Sequence, residues 1–511
     1  MIKRATLVSA MCISALQSPI LSAAQLEEVI VTAQLREQSL QDVPVSVSAI
    51  SGSKMMEAGL SKIEDLQAYV PNFTMTESSI GTDIYIRGIG SGENQGFEQS
   101  VGMYVDGIYY GRAQLARAPF LDLERVEVLR GPQNILLGKN SIAGAINISS
   151  ASPSNETEFF VQGTYEPDLN EQVIDFMASG PITDSFSARF AMRQRKTDGF
   201  VENLILDRDE AARKEATYRL KFAWDAGNDF DAKLKLEMGS FDVVGRQSEI
   251  LTDNPSDSDI FLFTGRTYGE ILNDTVFPDL GAIGGLLGSL PVGIRNLLQL
   301  QDNGSILNLQ ADDSVLDHTA DRKRSSNGDF SNNDTQNITV NMNWYSDGNT
   351  FTSITGYMAY QYDEECDCDF TGAPLFQVVF EEEYQQLSQE FRWISAPGET
   401  FDFIAGAYFQ YNELDFFDSI VVSTTLVPQL INAADLLEGG GRGDIDPGAN
   451  GSSGFELLGI GDAGNSLLNL RSPRDFKSDS IIASTFLQGT WIMTDTLRLT
   501  LGGRYTYEKK S

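Results

Sequence analysis

The chain of 511 residues is 41% hydrophobic and 21% charged, which supplies enough apolar material for several packed domains. Its 72 Asp and Glu residues outnumber its 37 Lys and Arg residues, so the net charge is −35. We therefore exclude nucleic acid as a partner, because binding it requires a basic surface that displaces counterions. The one histidine, His318, excludes a His-based zinc site or catalytic triad within this chain. We expect neither an enzyme nor a cofactor.

Residues 1–24 have the features of an export signal. Lys3 and Arg4 give a positive start, an apolar run follows at 5–16, and small residues at 22–24 offer a cleavage site. The apolar run is too short to cross a bilayer as a helix, and no later segment has some 18 consecutive apolar residues. We expect an exported chain without a transmembrane helix.

Residues 25–39 connect this signal to the first predicted domain. The strand formers Val29, Ile30 and Val31 follow two acidic residues, a pattern that predicts a short extended segment. By itself the pattern is typical of any edge strand.

Residues 40–152 are predicted to form a compact α/β domain. A strand is expected at 43–47, and Ser61 with Glu64 has the spacing of a helix cap, before a helical run that ends at Pro71. Two further strands are expected at 84–88 and 101–107.

The most specific pattern in the chain closes this domain, at 123–133 and 138–148. It predicts a strand, a tight Arg-Gly-Pro turn, a loop with spaced glycines and a second strand. This order resembles the closing signature of the plug domain of TonB-dependent outer-membrane receptors, which import scarce nutrients through a corked β-barrel. The residues that carry the signature here are Gly131, Pro132, Gly138, Asn140 and Gly144.

From about residue 156 apolar and polar residues alternate, as in the run 230–238 and again at 497–505. Alternation with a strongly polar second face is typical of a barrel wall between lipid and a wet lumen, although a soluble β-sandwich alternates too. We count about eleven strands in 153–511, whereas barrels that hold a plug have about 22. The expected fold is a small α/β plug followed by antiparallel transmembrane β-barrel strands, about half of a 22-stranded barrel, in a chain truncated on its C-terminal side.

The resemblance implies roles for two sets of residues. The segment after the signal is similar to a TonB box, which binds by adding a strand to a partner's sheet; it comprises Glu28, Val29, Ile30, Val31, Thr32 and Ala33. Arg87 and Arg130, each followed by glycine, match plug arginines that pair with glutamates of the barrel wall. They are expected to latch the plug, or alternatively to cap backbone carbonyls within it.

The acidic segment 363–369 contains Cys366 and Cys368, which remain after the signal is removed. Three interpretations stay open: a metal site at the barrel mouth, a disulfide between the two cysteines, and a solvated loop tip.

The implied function is TonB-dependent active transport across the outer membrane of a Gram-negative bacterium. The expected partners are the TonB energy-transducing protein, outer-membrane lipid and lipopolysaccharide, and a ferric siderophore as cargo; we expect a monomer. An oligosaccharide receptor of the same fold and a secreted β-rich adhesin are the alternatives. The implied mechanism is that cargo binding releases the box, and TonB then pairs with it and pulls the plug.

Overall fold

The computed structural model describes residues 30–249, 321–422 and 470–511, apart from short gaps at 33–34, 37, 42, 78–81, 93–97, 118, 228, 371–375, 399 and 495, and a few isolated positions between 252 and 265. Within these residues no helix is long and apolar enough to span a membrane. The predicted signal at 1–24 lies outside the described residues.

Two short strands precede the plug and pair with each other in antiparallel register, β1 (Ile30–Val31) and β2 (Gln38–Ser39). The strands of the plug are β3 (Ser46–Ser51), β4 (Phe73–Glu77), β5 (Thr82–Ile86), β6 (Ile89–Gly90), β7 (Val101–Val105), β8 (Ile108–Tyr110), β9 (Leu123–Arg130) and β10 (Gly144–Ser150). Five of them form one sheet in the order β3-β9-β10-β7-β8, in which β10 is antiparallel to β9 and parallel to β7. The closing signature therefore forms the centre of the plug sheet.

The strand predicted at 43–47 begins later, at Ser46, where the pairing with Arg130 starts. Pro44 has no N–H to donate to a ladder, so strand pairing starts beyond it. The strands predicted at 84–88 and 101–107 end at Ile86 and Val105, because turns with positive φ follow each of them.

The helix α1 (Gly52–Ala58) was not predicted, since its seven residues show little apolar periodicity. Its ends do carry recognisable signals. Ser51 accepts a hydrogen bond from the Lys54 N–H, and Gly59 ends the helix in the left-handed conformation with φ 70°.

A 3-10 helix (Ile63–Ala68) stands where the sequence predicted a capped helix. The predicted capping partner, Glu64, is wrong. The carboxylate of Asp65 instead accepts hydrogen bonds from the Ser61 N–H at 2.7 Å and the Lys62 N–H at 3.0 Å. Glu64 pairs with the Lys62 ammonium at 2.6 Å. A second 3-10 helix (Ala113–Arg117) links β8 to β9.

Eleven strands in the described part of the chain form a second sheet, which we call the wall. They are β11 (Glu158–Glu166), β12 (Glu171–Thr183), β13 (Phe186–Thr197), β16 (Ala212–Asp225), β17 (Phe230–Val244), β19 (Phe330–Ser346), β20 (Asn349–Asp367), β21 (Phe376–Ile394), β22 (Phe401–Val422), β23 (Leu470–Thr494) and β24 (Leu497–Lys510). Each pairs antiparallel with the next, so the order in the sheet is the order in the chain. The strands lengthen from 9 residues in β11 to 25 in β23. The predicted plug and antiparallel strands are confirmed.

A small sheet of β14 (Val201–Asn203), β15 (Arg208–Glu210) and β18 (Lys323–Arg324) lies between wall strands in the chain. It belongs to the longer connections at one end of the wall. The opposite end has only short turns.

Aromatic side chains form a row along the short-turn end of the wall. Strand register places them opposite one another, as in Phe230 with Trp344 and Phe351 with Trp393. Neighbouring rings are in contact, with 5.2 Å between the centroids of Phe230 and Trp344. Trp393 is 51% exposed and Trp491, farther along the row, is also 51% exposed. Aromatic side chains at this position are typical of a lipid–water boundary.

The plug packs against the inner face of the wall, and one hydrophobic core includes side chains from both. Plug residues such as Ile63 and Ile146 share it with Met358 and Phe416 of the wall. Gly356, in the middle of β20, has no side chain, and plug residue Ile108 occupies the space that a Cβ would need.

Candidate functional site

The described part of the predicted box, residues 30–32, lies folded against the plug. The backbone of Ile30 pairs with Ser39, and the Val31 side chain is fully buried. Val31 packs with Leu129 and Tyr104 of the plug sheet. Glu28, Val29 and Ala33 lie outside the described residues.

A buried carboxylate, Glu127, anchors the end of the box. It accepts hydrogen bonds from the Thr32 N–H at 2.7 Å and from Asn147 at 3.2 Å, and Arg125 pairs with it at 2.8 Å. The Glu127 side chain is fully buried, so it requires these donors. Arg125 also donates to the Thr32 hydroxyl at 3.0 Å. We call Thr32, Arg125, Glu127 and Asn147 the box clasp.

The linker after the box is fixed to the wall. Arg36 pairs with Asp402 at 3.0 Å and donates to the Phe403 carbonyl at 2.9 Å, at the start of β22. Leu35 packs nearby against the small cluster that contains Leu136 and Ile404. The N-terminal segment thus contacts both the plug and the wall.

The predicted latch arginines lie at the edge of the plug. Arg87 is exposed in a turn with φ 54°, and Arg130 donates to the Pro71 carbonyl at 3.4 Å. Among the described residues neither forms an ion pair. The described wall strands supply neither arginine with the glutamate that the resemblance pairs it with.

Other plug charges, which the sequence reasoning missed, cross to the wall. Arg112 pairs with Glu382 of β21 at 2.7 Å, and its Nε donates to the Tyr360 hydroxyl at 3.2 Å. The side chains of Arg112 and Glu382 are 4% and 1% exposed. Burial alone would lower the pKa of the Arg112 guanidinium, but the carboxylate of Glu382 and the Tyr360 hydroxyl outweigh it and raise the pKa. The pair is therefore almost completely withdrawn from water.

A second crossing pair joins Asp106 to the wall. Lys235 donates to its carboxylate at 2.8 Å, and Lys221 lies 4.0 Å away. Burial alone would raise the pKa of Asp106, but Lys235, Lys221 and Arg219 outweigh it and hold the pKa well below its usual range. Asp106 also accepts from the Ser150 N–H at 2.9 Å, which ties the turn after β7 to the end of β10.

Three more contacts complete this set. Asp122 of the plug is held by Arg189 of β13 through two hydrogen bonds of 2.6 Å. Arg117 donates to the Tyr362 hydroxyl at 2.8 Å. Lys139 pairs with Glu508 of β24 at 3.0 Å. A sequence signal for such residues does exist, because charged side chains occupy inward-facing positions of the alternating strands. The sequence alone does not show which of these charges pair with each other.

The signature residues shape the loop that precedes β10. Gly131, Gly138 and Gly144 have φ values of 117°, 97° and 155°, which L side chains rarely adopt. Asn140 takes the left-handed conformation with φ 61° and donates to the Tyr109 hydroxyl at 2.7 Å. Pro132 follows the first of these glycines in the turn. These residues position the loop that carries Lys139 to the wall.

Cys366 and Cys368 form a disulfide at the end of β20. Cys366 is fully buried beside Val378 and Phe380, so the solvated-tip interpretation is wrong for this residue. Within the described residues no group of three or more His, Cys, Asp or Glu is placed to hold a metal ion.

Residues 39–145 match the family model described as TonB-dependent Receptor Plug Domain. This domain is a TonB-dependent receptor plug. The recognition of this outer-membrane receptor family from the closing signature is thereby confirmed. The matched family is one of receptors, which agrees with the prediction that the chain is not an enzyme. The predicted outer-membrane location is confirmed.

Sequence relatives match the same part of the chain. An iron-regulated outer membrane virulence protein of Vibrio cholerae is 32% identical over 174 residues, which are 32% of this chain and 26% of the relative. The pesticin receptor of Yersinia pestis is 29% identical over 142 residues, 27% of this chain and 21% of the receptor. The chain thus matches about a quarter of the length of these relatives.

The structural likeness extends through the wall. The ferric yersiniabactin uptake receptor of Yersinia pestis superposes with a TM-score of 0.63 at 15% identity, covering 91% of this chain and 57% of the receptor. The ferripyoverdine receptor of Pseudomonas aeruginosa gives a TM-score of 0.59 at 14% identity, covering 94% and 54%. At these identities the likeness establishes the fold.

Proposed function

We propose that the chain provides the plug and part of the wall of a TonB-dependent transporter that imports a ferric siderophore across the outer membrane. The observation that carries this proposal is a box segment closed on a plug, which is itself held by buried ion pairs on the inner face of an antiparallel wall. A secreted adhesin has no use for such an arrangement.

The box has the properties that strand addition requires. The pairing of β1 with β2 involves two residues on each strand, so a longer strand from TonB can replace it at low cost. The box clasp is the main obstacle, because pulling Thr32 away leaves Glu127 with fewer donors. Cargo that shifts the plug toward an opened clasp raises the fraction of receptors available to TonB.

A ferric siderophore is favoured as cargo by the names of the relatives. The yersiniabactin and pyoverdine receptors share the fold, and the Vibrio cholerae relative is described as iron-regulated. A vitamin B12 transporter of Vibrio vulnificus is also 25% identical over 182 residues, which makes cobalamin a competitor beside oligosaccharides.

Outer-membrane lipid and lipopolysaccharide are the remaining proposed partners, and features of the wall support them. The aromatic row lies at one lipid boundary, and lipopolysaccharide faces the connections at the other end. A monomer is proposed, because the plug forms its ion pairs with the wall of its own chain. Arg87 and Arg130 are proposed to latch the plug to glutamates of the wall, so R87Q should increase cleavage of the plug by protease in the assembled receptor; unchanged resistance would count against the latch.

The test is uptake by cells that carry this receptor and no other iron receptor. Ferric yersiniabactin and ferric pyoverdine, labelled with radioactive iron, are compared with labelled cyanocobalamin and maltohexaose. Accumulation of a ferric siderophore only when TonB is present supports the proposal. If only cyanocobalamin or only the sugar is taken up, that compound replaces the ferric siderophore as the proposed cargo. Uptake that persists without TonB would refute the proposed mechanism.

The box is tested separately with I30P, because proline cannot join a strand ladder. The variant should bind cargo at the cell surface with unchanged affinity and fail to import it. The matched control is Q38P, which removes the same ladder from the β2 side but leaves the box sequence intact for TonB.

A further inference from the structure

A cavity of about 440 Å³ separates one flank of the plug from the wall. Its plug side is formed by α1 and by the segment before β9, and its wall side by residues of β11, β12, β13, β16 and β17. This volume is in the range of small-molecule sites. The box, the box clasp and the Arg112 pair do not line it.

The lining of the cavity divides into two parts. Four methionines and three phenylalanines of the plug and of the inner face of the wall supply an apolar surface, with Met56 of α1 and Met177 of β12 on opposite sides. Methionine side chains adapt to the shape of a ligand and make favourable contacts with aromatic rings. This part of the cavity suits a flat aromatic body.

The polar part carries an excess of positive charge. Six Lys and Arg side chains and five Asp and Glu side chains line the cavity, in a chain whose net charge is −35. Most of these arginines are fully engaged: Arg193, for example, holds Asp175 at 2.6 Å and the Phe120 carbonyl at 2.6 Å. The exceptions are the Arg213 guanidinium and Nη1 of Arg195, close to where β16 begins and β13 ends.

There Glu215 lies between two guanidinium groups without a hydrogen bond to either. Arg195 stands directly opposite it in the strand register at 3.7 Å, and Arg213 is 3.8 Å away. Arg195 is otherwise held by Glu171 at 2.6 Å, whereas Glu215 is the only ion-pair partner of Arg213 among the described residues. A carboxylate from a ligand could therefore bind these two arginines at hydrogen-bond distance, where Glu215 does not reach.

We propose that this cavity is a binding site for an aryl carboxylate, with its ring among the methionines and its carboxylate on Arg195 and Arg213. The site is distinct from the box and its clasp. It is defined by binding alone and does not depend on which cargo is transported.

The experiment uses the purified full chain in lipid nanodiscs and measures binding of 2-naphthoate by saturation-transfer NMR, with 2-naphthylmethanol as the uncharged counterpart. The wild type should bind 2-naphthoate clearly better than the alcohol. Loss of two charge-assisted hydrogen bonds in R195Q/R213Q should weaken naphthoate binding about tenfold or more, with the alcohol unaffected. R392Q is the matched control, since Arg392 pairs with Glu390 on β21 and lies outside the cavity.

The decisive variant is E215Q. It removes the carboxylate that competes for both arginines, so naphthoate should bind about tenfold more tightly than to the wild type. A misfolded variant cannot gain affinity, so this result separates the site from a loss of structure. Equal binding of the acid and the alcohol, or an E215Q affinity at or below that of the wild type, would overturn the proposal.

Discussion

The two flanks of the plug are held to the wall in different ways. Toward β20 and β21 the contact is tightly packed, with Arg112 and Glu382 both almost fully buried. Toward β11–β13 there is a cavity, and Glu158, which pairs with Arg189 there, is 46% exposed. Similar Arg–carboxylate pairs therefore have different surroundings: on the packed flank they are buried between plug and wall, and on the open flank they line a cavity.

The largest effect should come from breaking the packed flank. E382A leaves the Arg112 guanidinium buried without its carboxylate, a change that costs about 3–5 kcal/mol. We expect a large fall in the stability of the plug. It is measured as a lower urea concentration at which a cysteine introduced at a buried plug position becomes accessible to a thiol reagent. E158A on the open flank is the control and should cost about 1 kcal/mol or less, as exposed pairs do. Equal losses in the two variants would contradict the comparison.

The Asp106 pair should make stability depend on pH in one direction. Its pKa is lowered on folding, so its contribution is complete above the unfolded value of about 4 and is lost as the pH falls toward the folded value. We expect the plug to lose on the order of 2–3 kcal/mol between pH 5 and pH 2 from this group. Thermal unfolding across that range measures it. D106N should be destabilised at pH 7 and should lack this part of the acid dependence.

Opening the box clasp should have an intermediate effect. E127Q replaces the carboxylate to which Arg125 and Thr32 both donate with an amide, at a cost of about 1–3 kcal/mol to the closed state. A spin label at position 29 should become more mobile, as read by electron paramagnetic resonance. N147A, which removes one donor and keeps the carboxylate, should shift mobility less. A label that is equally mobile in the wild type and E127Q would show that the clasp does not hold the box.

The smallest effect is expected from the linker contact. Arg36 and Asp402 are each 19% exposed, so D402N should cost about 1 kcal/mol or less. The same spin label should report a slight gain in mobility. Because Arg36 also donates to the Phe403 carbonyl, R36A should have the larger effect of the two.

Much of the fold was predictable from the sequence because it rests on local signals. The closing signature predicted β9, its turn and β10, and period-two alternation predicted eleven wall strands. The helix α1 was missed, because seven residues between a serine cap and a glycine give too little periodicity to detect. The capping residue was placed at Glu64 when the fold uses Asp65, because the helix begins one residue later than predicted, with Lys62 rather than Ser61 at the N-cap.

The candidate site was less predictable because its contacts join residues far apart in the chain. Arg112 and Glu382 are 270 residues apart, and nothing local distinguishes either from other charges in the strands. Arg87 and Arg130 were chosen by resemblance, and their roles remain predictions. The disulfide between Cys366 and Cys368 was one of three interpretations, and only the fold selects it.

The unequal lengths of the strands set how far the protein rises above the bilayer. A tilted transmembrane strand needs about 9–11 residues to cross the hydrocarbon layer, so β11 is just long enough, while the 25 residues of β23 rise about twice as far as needed. The outer charges Arg474 and Lys477, 65% and 76% exposed near the start of β23, belong to the part that stands in water. The rim is consequently slanted, low over β11 and tall over β23.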